Sequence, residues 1–148
     1  MKKNLFINTL AICILLTFKV IAAQSNFFDD GVKLYKKGQI EKSKILFERD
    51  IVFNPKSEKS YLYLAKIYKK KENEKEEEVN LNNVLLINPK NDEAIYMLAL
   101  LKIKQSDYEH VNELIDRFIL VCKSYCSKEK EIRDKFKKLT PENAKNKN

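Results

Sequence analysis

Apolar residues recur three and four positions apart through the middle of the chain, which is the spacing of one face of an α-helix. Such one-sided stripes comprise Tyr61, Leu64, Ala65 and Tyr68; Leu81, Val84 and Leu85; Leu98 and Leu101; and Val111, Leu114, Ile115 and Phe118. A helix with one apolar face cannot bury that face alone. The pattern therefore predicts helices that stack as antiparallel pairs around a continuous core.

A further apolar stripe, near the C-terminus, predicts a helix of a different kind. Over residues 127–139, Ile132, Phe136 and Leu139 fall on one face and charged residues surround them. An open stack of helices needs an end that is apolar on one side and polar on the other. We expect residues 127–139 to be this capping helix and residues 140–148 to form a disordered tail.

The chain also repeats itself. The tripeptide Asn54-Pro55-Lys56 recurs as Asn88-Pro89-Lys90, 34 residues later. A period of this length is typical of stacked helix pairs, and the register that the two prolines set can be checked on other residues.

In that register the chain resembles the tetratricopeptide repeat (TPR) family over about residues 25–125. The first unit matches at Phe27, Gly31, the segment 38–43, Phe47 and Pro55. The second matches at Tyr61, Leu64, Ala65, Tyr68, Leu81, Val84 and Pro89, and the third at Leu98, Ala99 and the segment 106–109. Each match alone is weak, but together they share one register.

The resemblance implies an all-α fold, a right-handed superhelical solenoid of antiparallel helix pairs. The TPR domain is expected over residues 24–139, after a signal peptide over residues 1–23 that the N-terminal pattern described below indicates. Its repeats span about 24–57, 58–91 and 92–125, and the cap spans 127–139. Ser106 and Glu109 are expected to form a capping box at the start of the last repeat helix.

Several residues depart from the family pattern. Asp30, Asp50 and Lys102 stand where the family has apolar residues, and Glu77 stands where it has a small one. The segment 69–78 is so highly charged that we expect a longer turn there, or a register shifted by one residue.

The N-terminus has the pattern of an export signal. Lys2 and Lys3 precede an apolar run over residues 5–18, and Ala22 and Ala23 supply the small residues of a cleavage site. The run is too short and too interrupted to predict a spanning helix. We expect a periplasmic or secreted protein cleaved near Ala22 or Ala23, the alternative being a membrane anchor that stays uncleaved.

The composition and charge of the chain limit the classes of function that we expect. The chain has one His, two Gly and a formal net charge of +8, and removal of residues 1–23 with their three Lys would leave +5. No nucleophile paired with a base, no metal cluster and no cofactor loop is present, so we expect no enzyme activity, no cofactor and no metal. For an exported protein this charge favours an acidic protein or an anionic surface over nucleic acid.

The resemblance places a peptide-binding groove on the first helix of each pair. The residues that it carries onto this groove are Phe28, Val32, Tyr35, Lys36, Leu62, Lys66, Lys69, Lys70, Tyr96, Leu100, Ile103 and Lys104. They would form an apolar trough with a basic middle. An alternative is that the aromatic residues pack in the superhelix and the lysines form an ordinary solvated face.

The family's two-carboxylate clamp for chaperone C-termini is expected to be absent. Its lysine, asparagine and arginine positions hold Phe28, Val32, Tyr63, Glu93 and Met97.

Two cysteines, Cys122 and Cys126, lie four residues apart near the predicted turn before the cap. In an oxidising compartment they could pair, or they could remain two thiols.

The expected function is an exported scaffold or adaptor of the cell envelope that binds a protein or peptide segment, possibly acidic. Alternatives are a structural or membrane-surface basic protein, with peripheral membrane contact, and an accessory subunit of an envelope assembly or cell-wall enzyme complex.

Overall fold

The computed structural model describes residues 26–139, so the predicted signal peptide and C-terminal tail lie outside the described residues. Within them the chain forms seven α-helices and one short 3-10 turn. The helices are α1 (Phe27–Lys36), α2 (Ile40–Phe53), α3 (Glu58–Lys70), α4 (Glu74–Ile87), α5 (Asp92–Lys104), α6 (Tyr108–Val121) and α7 (Glu129–Leu139), with the 3-10 turn at Cys126–Lys128. None of these helices is both long enough and apolar enough to cross a bilayer.

Neighbouring helices pair and then stack. The closest packing is within α1–α2, α3–α4 and α5–α6, and α2 against α3 and α4 against α5 join the pairs. The predicted all-α solenoid of helix pairs is thus confirmed.

The turn inside each pair has the same form. Three residues separate the two helices, and the middle one has a positive φ: 75° at Gly38, 56° at Glu72 and 60° at Ser106. These residues lie 34 positions apart. The expectation of a longer turn or a shifted register over residues 69–78 was therefore wrong, because the charged residues there fill an ordinary three-residue turn.

The predicted capping box was also wrong. Ser106 occupies the left-handed position of its turn, whereas an N-cap residue has an extended or nearly extended backbone. Asp107 takes the N-cap place before α6, and its side chain makes no capping hydrogen bond. Its carboxylate instead contacts His110 Nδ1 at 2.8 Å and Lys102 Nζ at 3.5 Å.

Small residues allow the two helices of a pair to approach closely. Ala65 and Ala99 are fully buried, and Gly31 holds the same position in the first pair. A Cβ atom added to Gly31 would lie 2.8 Å from Phe47 Cε1, below van der Waals contact. The position two helix turns into the partner helix is correspondingly filled by large buried residues such as Phe47 and Leu81.

The departures from the family pattern have local partners. The Asp50 carboxylate accepts hydrogen bonds from the hydroxyls of Ser57 and Ser60. Lys102 Nζ lies 2.7 Å from Glu78 Oε1, which compensates its charge in a site where its side chain is only 14% exposed. Burial of a charged group is costly unless it is paired in this way.

The cap packs on the last helix pair. Helix α7 contacts α5 and α6, and the Ile132 side chain is 1% exposed in the core. Before α7 the chain bends, and the Asp92 carboxylate accepts backbone N–H groups of Lys123, Ser124 and Tyr125 at 2.6–2.9 Å. Burial disfavours the charged form of Asp92, but these donors outweigh it and lower the pKa of its carboxyl.

Candidate functional site

The face formed by the first helices, α1, α3 and α5, is the predicted groove, and its N-terminal part is an aromatic cluster. The Phe28 and Tyr35 rings lie 5.8 Å and 5.2 Å from the Tyr63 ring, measured between centroids. Tyr63 in turn stacks on buried Phe47 at 4.8 Å. Val32 packs against the same cluster. Much of the surface of these aromatic residues is therefore used in packing the first repeat onto the second.

Lysines cover this cluster from the solvent side. Lys70 Nζ lies 4.4 Å from the Tyr35 centroid, and Lys66 Nζ lies 5.1 Å from that of Tyr63. Ammonium groups at this distance are attracted by the ring quadrupole. Lys66 also forms an ion pair with Glu93 Oε1 at 2.7 Å. The basic middle expected at Lys66, Lys69 and Lys70 is consequently weaker at Lys66, whose charge is compensated inside the protein.

Leu62 was expected to anchor a ligand in the groove, and the structure corrects this expectation. Its side chain belongs to the main hydrophobic core and is 9% exposed. Its neighbours in the register, Phe28 and Tyr96, are only half-buried. The difference arises because Leu62 lies in the central repeat, which is packed on both sides.

Tyr96 is covered by the cap. Its ring lies 5.8 Å from that of Tyr125, and Lys128 Nζ lies 5.8 Å from its centroid. Burial, together with a hydrogen bond from its hydroxyl to Glu131, raises the pKa of Tyr96 to about 12. Hydrogen bonds from Lys135 and Lys128 lower the pKa of Glu131 to about 2. Tyr96 therefore joins α5 to the cap, and the anchor role expected for it would require the cap to move.

Beyond Tyr96 the groove opens into a pocket between α3, α5 and α7. The pocket has a volume of about 450 Å³ and is lined by Lys69, Leu100, Ile103, Lys104, Lys135 and Lys138. Leu100 and Ile103 form the apolar floor, and the four lysines form the wall. We call this site the lysine pocket.

The charges of the lysine pocket are only partly compensated. Lys104 Nζ pairs with Glu74 at 2.7 Å and Lys135 Nζ with Glu131 at 2.9 Å. A hydrogen bond and the negative charge of Glu74 raise the pKa of Lys104. Lys69 and Lys138 have no ion-pair partner within residues 26–139. The pocket therefore keeps a net positive charge beside an apolar floor.

Four of the six residues that line this pocket could be predicted from the sequence. Lys69, Leu100, Ile103 and Lys104 were placed on the groove by the register, whereas Lys135 and Lys138 were assigned only to the charged back of the cap. A usable signal was present, because Lys128, Lys135 and Lys138 are spaced seven and three residues apart and so share one helix face. What the sequence did not show is that this face turns toward α5.

The residues at the positions of the chaperone clamp are engaged in contacts within the protein. Met97 is 5% exposed, and Glu93, an acid where the clamp needs a base, pairs with Lys66. Among residues 26–139 there is no group of three or more His, Cys, Asp or Glu side chains that could hold a metal ion.

The structure joins Cys122 to Cys126 by a disulfide bond, with their Cα atoms 5.2 Å apart. The bond lies just after α6, where the helix has ended and the chain bends toward α7. An unbroken helix would have kept these residues in a less suitable geometry for the bond.

No protein-family model matches the sequence, and neither does any curated protein sequence. Among solved structures, the first TPR of Spaghetti (RPAP3), bound to the HSP90 peptide SRMEEVD, is similar with a TM-score of 0.68 and 14% sequence identity. The match covers 78% of this chain and 94% of that chain. The Sgt2 TPR domain from Aspergillus fumigatus is similar with a TM-score of 0.66 and 15% identity, over 80% of each chain. These likenesses establish the fold, an all-α TPR solenoid of antiparallel helix pairs.

Proposed function

We propose that the chain is a protein-interaction module that binds a peptide segment, acidic and partly apolar, in the lysine pocket. The observation that carries the proposal is the pocket itself, where four lysines surround an apolar floor in about 450 Å³. An apolar side chain of the ligand would contact Leu100 and Ile103. Carboxylates on either side of it would contact the lysines. A binding role without catalysis is part of this proposal.

The two parts of the pocket contribute differently. Burial of an apolar side chain favours binding because it removes apolar surface from water, and the ordering of ligand and protein offsets part of this gain. The exposed lysines mainly increase the association rate and select against basic ligands. Lys69 and Lys138 are the most effective candidates because both are exposed and neither forms an ion pair within the described residues.

The similar structures support a peptide ligand in general terms. One of them holds a peptide that contains two adjacent glutamates, and that ligand is a property of that protein. Here the clamp positions hold Tyr63 and Met97 among others, so the proposed ligand is recognised in a different place. The lysine pocket lies nearer the cap, α7, than these clamp positions do.

The test is a selection of random peptides on the immobilised full chain, followed by fluorescence anisotropy titration of the selected peptide. We expect enrichment of peptides in which an aliphatic or aromatic residue is flanked by Asp or Glu. The Lys69→Glu and Lys138→Glu variants should each weaken binding about tenfold, mainly through slower association. Lys42→Glu is the matched control, because Lys42 is an exposed lysine on a second helix.

Selected peptides that are basic or uncharged would contradict the proposal. So would equal losses of affinity in the pocket variants and in Lys42→Glu, since that outcome would report only the net charge of the chain.

We also propose that the protein acts after export, as a scaffold or adaptor of the cell envelope. The basic and apolar N-terminal pattern and the two cleavage-site alanines, Ala22 and Ala23, support export. The Cys122–Cys126 bond agrees with an oxidising compartment. N-terminal sequencing of the protein from the envelope fraction should begin near Ala23 or Gln24. An intact Met1 on a membrane-embedded product would contradict cleavage.

A further inference from the structure

The second helices expose a repeated aliphatic residue. Val52, Leu86 and Leu120 are 75%, 81% and 84% exposed, and each follows the preceding one by 34 residues. They therefore hold the same position, in the last turn of α2, α4 and α6. Single exposed aliphatic residues are common on protein surfaces. The same exposed position in all three repeats forms a row, which we call the aliphatic row.

The aliphatic row is extended at its first member. Phe53, the last residue of α2, is 67% exposed beside Val52. The row is distinct from the lysine pocket, because the pocket is built from α3, α5 and α7 and the row from α2, α4 and α6. An exposed apolar patch of this kind is typical of a surface that meets a partner or a membrane.

A lysine accompanies each member of the row. Lys56, Lys90 and Lys123 follow Val52, Leu86 and Leu120 by four, four and three residues, in the linkers that connect one helix pair to the next element. All three side chains are exposed, and none has an ion-pair partner within residues 26–139.

The acids at the same edge are engaged within the protein. Glu58 accepts a hydrogen bond from Asn88 Nδ2 at 2.9 Å, and Asp92 accepts three from the backbone before α7. Glu93 pairs with Lys66. Asp29 and Lys59 are both exposed near the start of α1 and of α3. Exposed Asp116, one helix turn before Leu120, is outnumbered by Lys56, Lys90 and Lys123, so the charge beside the aliphatic row is net positive.

The N-terminal segment joins the fold at this edge. Helix α1 begins at Phe27, whose ring stacks on that of Phe53 at 5.5 Å between centroids. The chain preceding α1, with its apolar run over residues 5–18, is thus attached beside the first member of the row. A bilayer that held this segment would be tethered to the domain at the edge that carries the aliphatic row.

We propose that the edge formed by Val52, Leu86 and Leu120 with Lys56, Lys90 and Lys123 rests on the surface of an anionic lipid bilayer. Aliphatic side chains enter the interface between headgroups and acyl chains, and the neighbouring lysines meet anionic headgroups. A lysine near an anionic membrane surface strengthens binding by about fivefold, which corresponds to about 1 kcal/mol. The first-helix face and its lysine pocket then stay open to a protein ligand.

The experiment uses the full chain with Cys13→Ser, so that the disulfide cysteines remain bonded. A fluorophore is attached at Leu86→Cys or, in the control, at Lys37→Cys in the turn between α1 and α2. The probe is a vesicle of phosphatidylcholine with about 30% phosphatidylglycerol, carrying a lipid that quenches the fluorophore on contact. Because the N-terminal segment is the same in both chains, a difference between the two positions reports on the folded domain.

We expect quenching at position 86 to be several times that at position 37 and to require phosphatidylglycerol. It should fall as the salt concentration is raised, because salt screens the attraction between the lysines and the anionic headgroups. Reversal of all three lysines, Lys56→Glu, Lys90→Glu and Lys123→Glu, should lower quenching at position 86 at least tenfold. The matched control carries Lys36→Glu, Lys42→Glu and Lys75→Glu, at lysines that are exposed elsewhere. This control should retain most of the quenching at position 86.

Equal quenching at positions 86 and 37, or no effect of the three reversals at the edge, would overturn the proposal. A lipid-free dimer in sedimentation velocity that Leu86→Ser abolishes would also overturn it, because the row would then be covered by a second copy of the chain. Neither outcome depends on whether the lysine pocket binds a peptide.

Discussion

One residue in the middle of each helix-pair turn has a backbone conformation that suits glycine. Gly38 meets that requirement in the first repeat, whereas Glu72 and Ser106 adopt φ values of 56° and 60° with a side chain in place. For an L-residue other than Gly, Asn or Asp, the left-handed region costs roughly 1–2 kcal/mol. The second and third turns therefore hold unrelieved strain at equivalent positions.

Glu72→Gly should increase the free energy of unfolding by about 1 kcal/mol, because it removes this strain at an exposed position. The reciprocal change, Gly38→Ala, should decrease it by a similar amount. Chemical denaturation followed by circular dichroism measures both. A loss of stability in Glu72→Gly would contradict the turn geometry.

A second residue-scale feature is the carboxyl of Glu77, which is 5% exposed in a position where the family has a small residue. Burial raises its pKa above the ordinary value of 4.5, although the charges of Lys69 and Lys104 oppose this. The folded chain thus holds this proton to a higher pH than the unfolded chain. By linkage, the contribution of Glu77 to stability falls as pH rises from 4.5 through the folded pKa.

Glu77→Gln should therefore stabilise the protein at neutral pH, by about 1 kcal/mol, because a neutral amide is less costly to bury than a carboxylate. The gain should vanish at about pH 4, where the carboxyl is protonated in both states. Thermal unfolding across this pH range measures it. Glu109→Gln, at an exposed carboxyl on α6, should show neither effect, and an identical pH profile for both variants would refute the role of burial.

At the scale of elements, the attachment of α7 to the last helix pair combines three contacts. The Asp92 carboxylate holds the bend, the disulfide closes it between Cys122 and Cys126, and Ile132 fills the core. These contacts set the position of Lys135 and Lys138, so they also shape the lysine pocket.

Cys122 and Cys126 should be unreactive toward iodoacetamide in the oxidised protein and should each react once after reduction. Mass spectrometry of the alkylated full chain gives the count, and Cys13 serves as the internal control wherever it is retained. Two alkylated residues at 122 and 126 before reduction would show that the bond is absent from the isolated protein.

Helices and their pairing could be predicted from the sequence because both follow from local periodicity and the 34-residue register. The positions of Gly31 and Ala65 at the close crossings are examples. Details that depend on backbone conformation could not be predicted. Serine is a residue type that helix N-caps prefer, which is why Ser106 was the predicted N-cap. Its place in the middle of the three-residue turn requires a positive φ, however, and the N-cap is therefore Asp107.

At the scale of the molecule, the solenoid presents two unlike surfaces. The first helices carry aromatic residues and the lysine pocket, and the second helices carry the aliphatic row. The register was sufficient to place Lys69 and Leu100 on the groove side. It could not show that Leu62 is buried by neighbours on both sides, or that α7 covers Tyr96, because these contacts form only when repeats and cap pack together.

The measurement that tests peptide binding most directly is chemical-shift mapping of the ¹⁵N-labelled full chain with the peptide selected on it. Shifts should concentrate at Lys69, Leu100, Lys104 and Lys135, on three helices that only the folded solenoid brings together. They should be absent from Val52 and Leu86 on the second helices. Shifts confined to the second helices, with the lysine pocket unperturbed, would contradict the central claim that this pocket is the peptide-binding site.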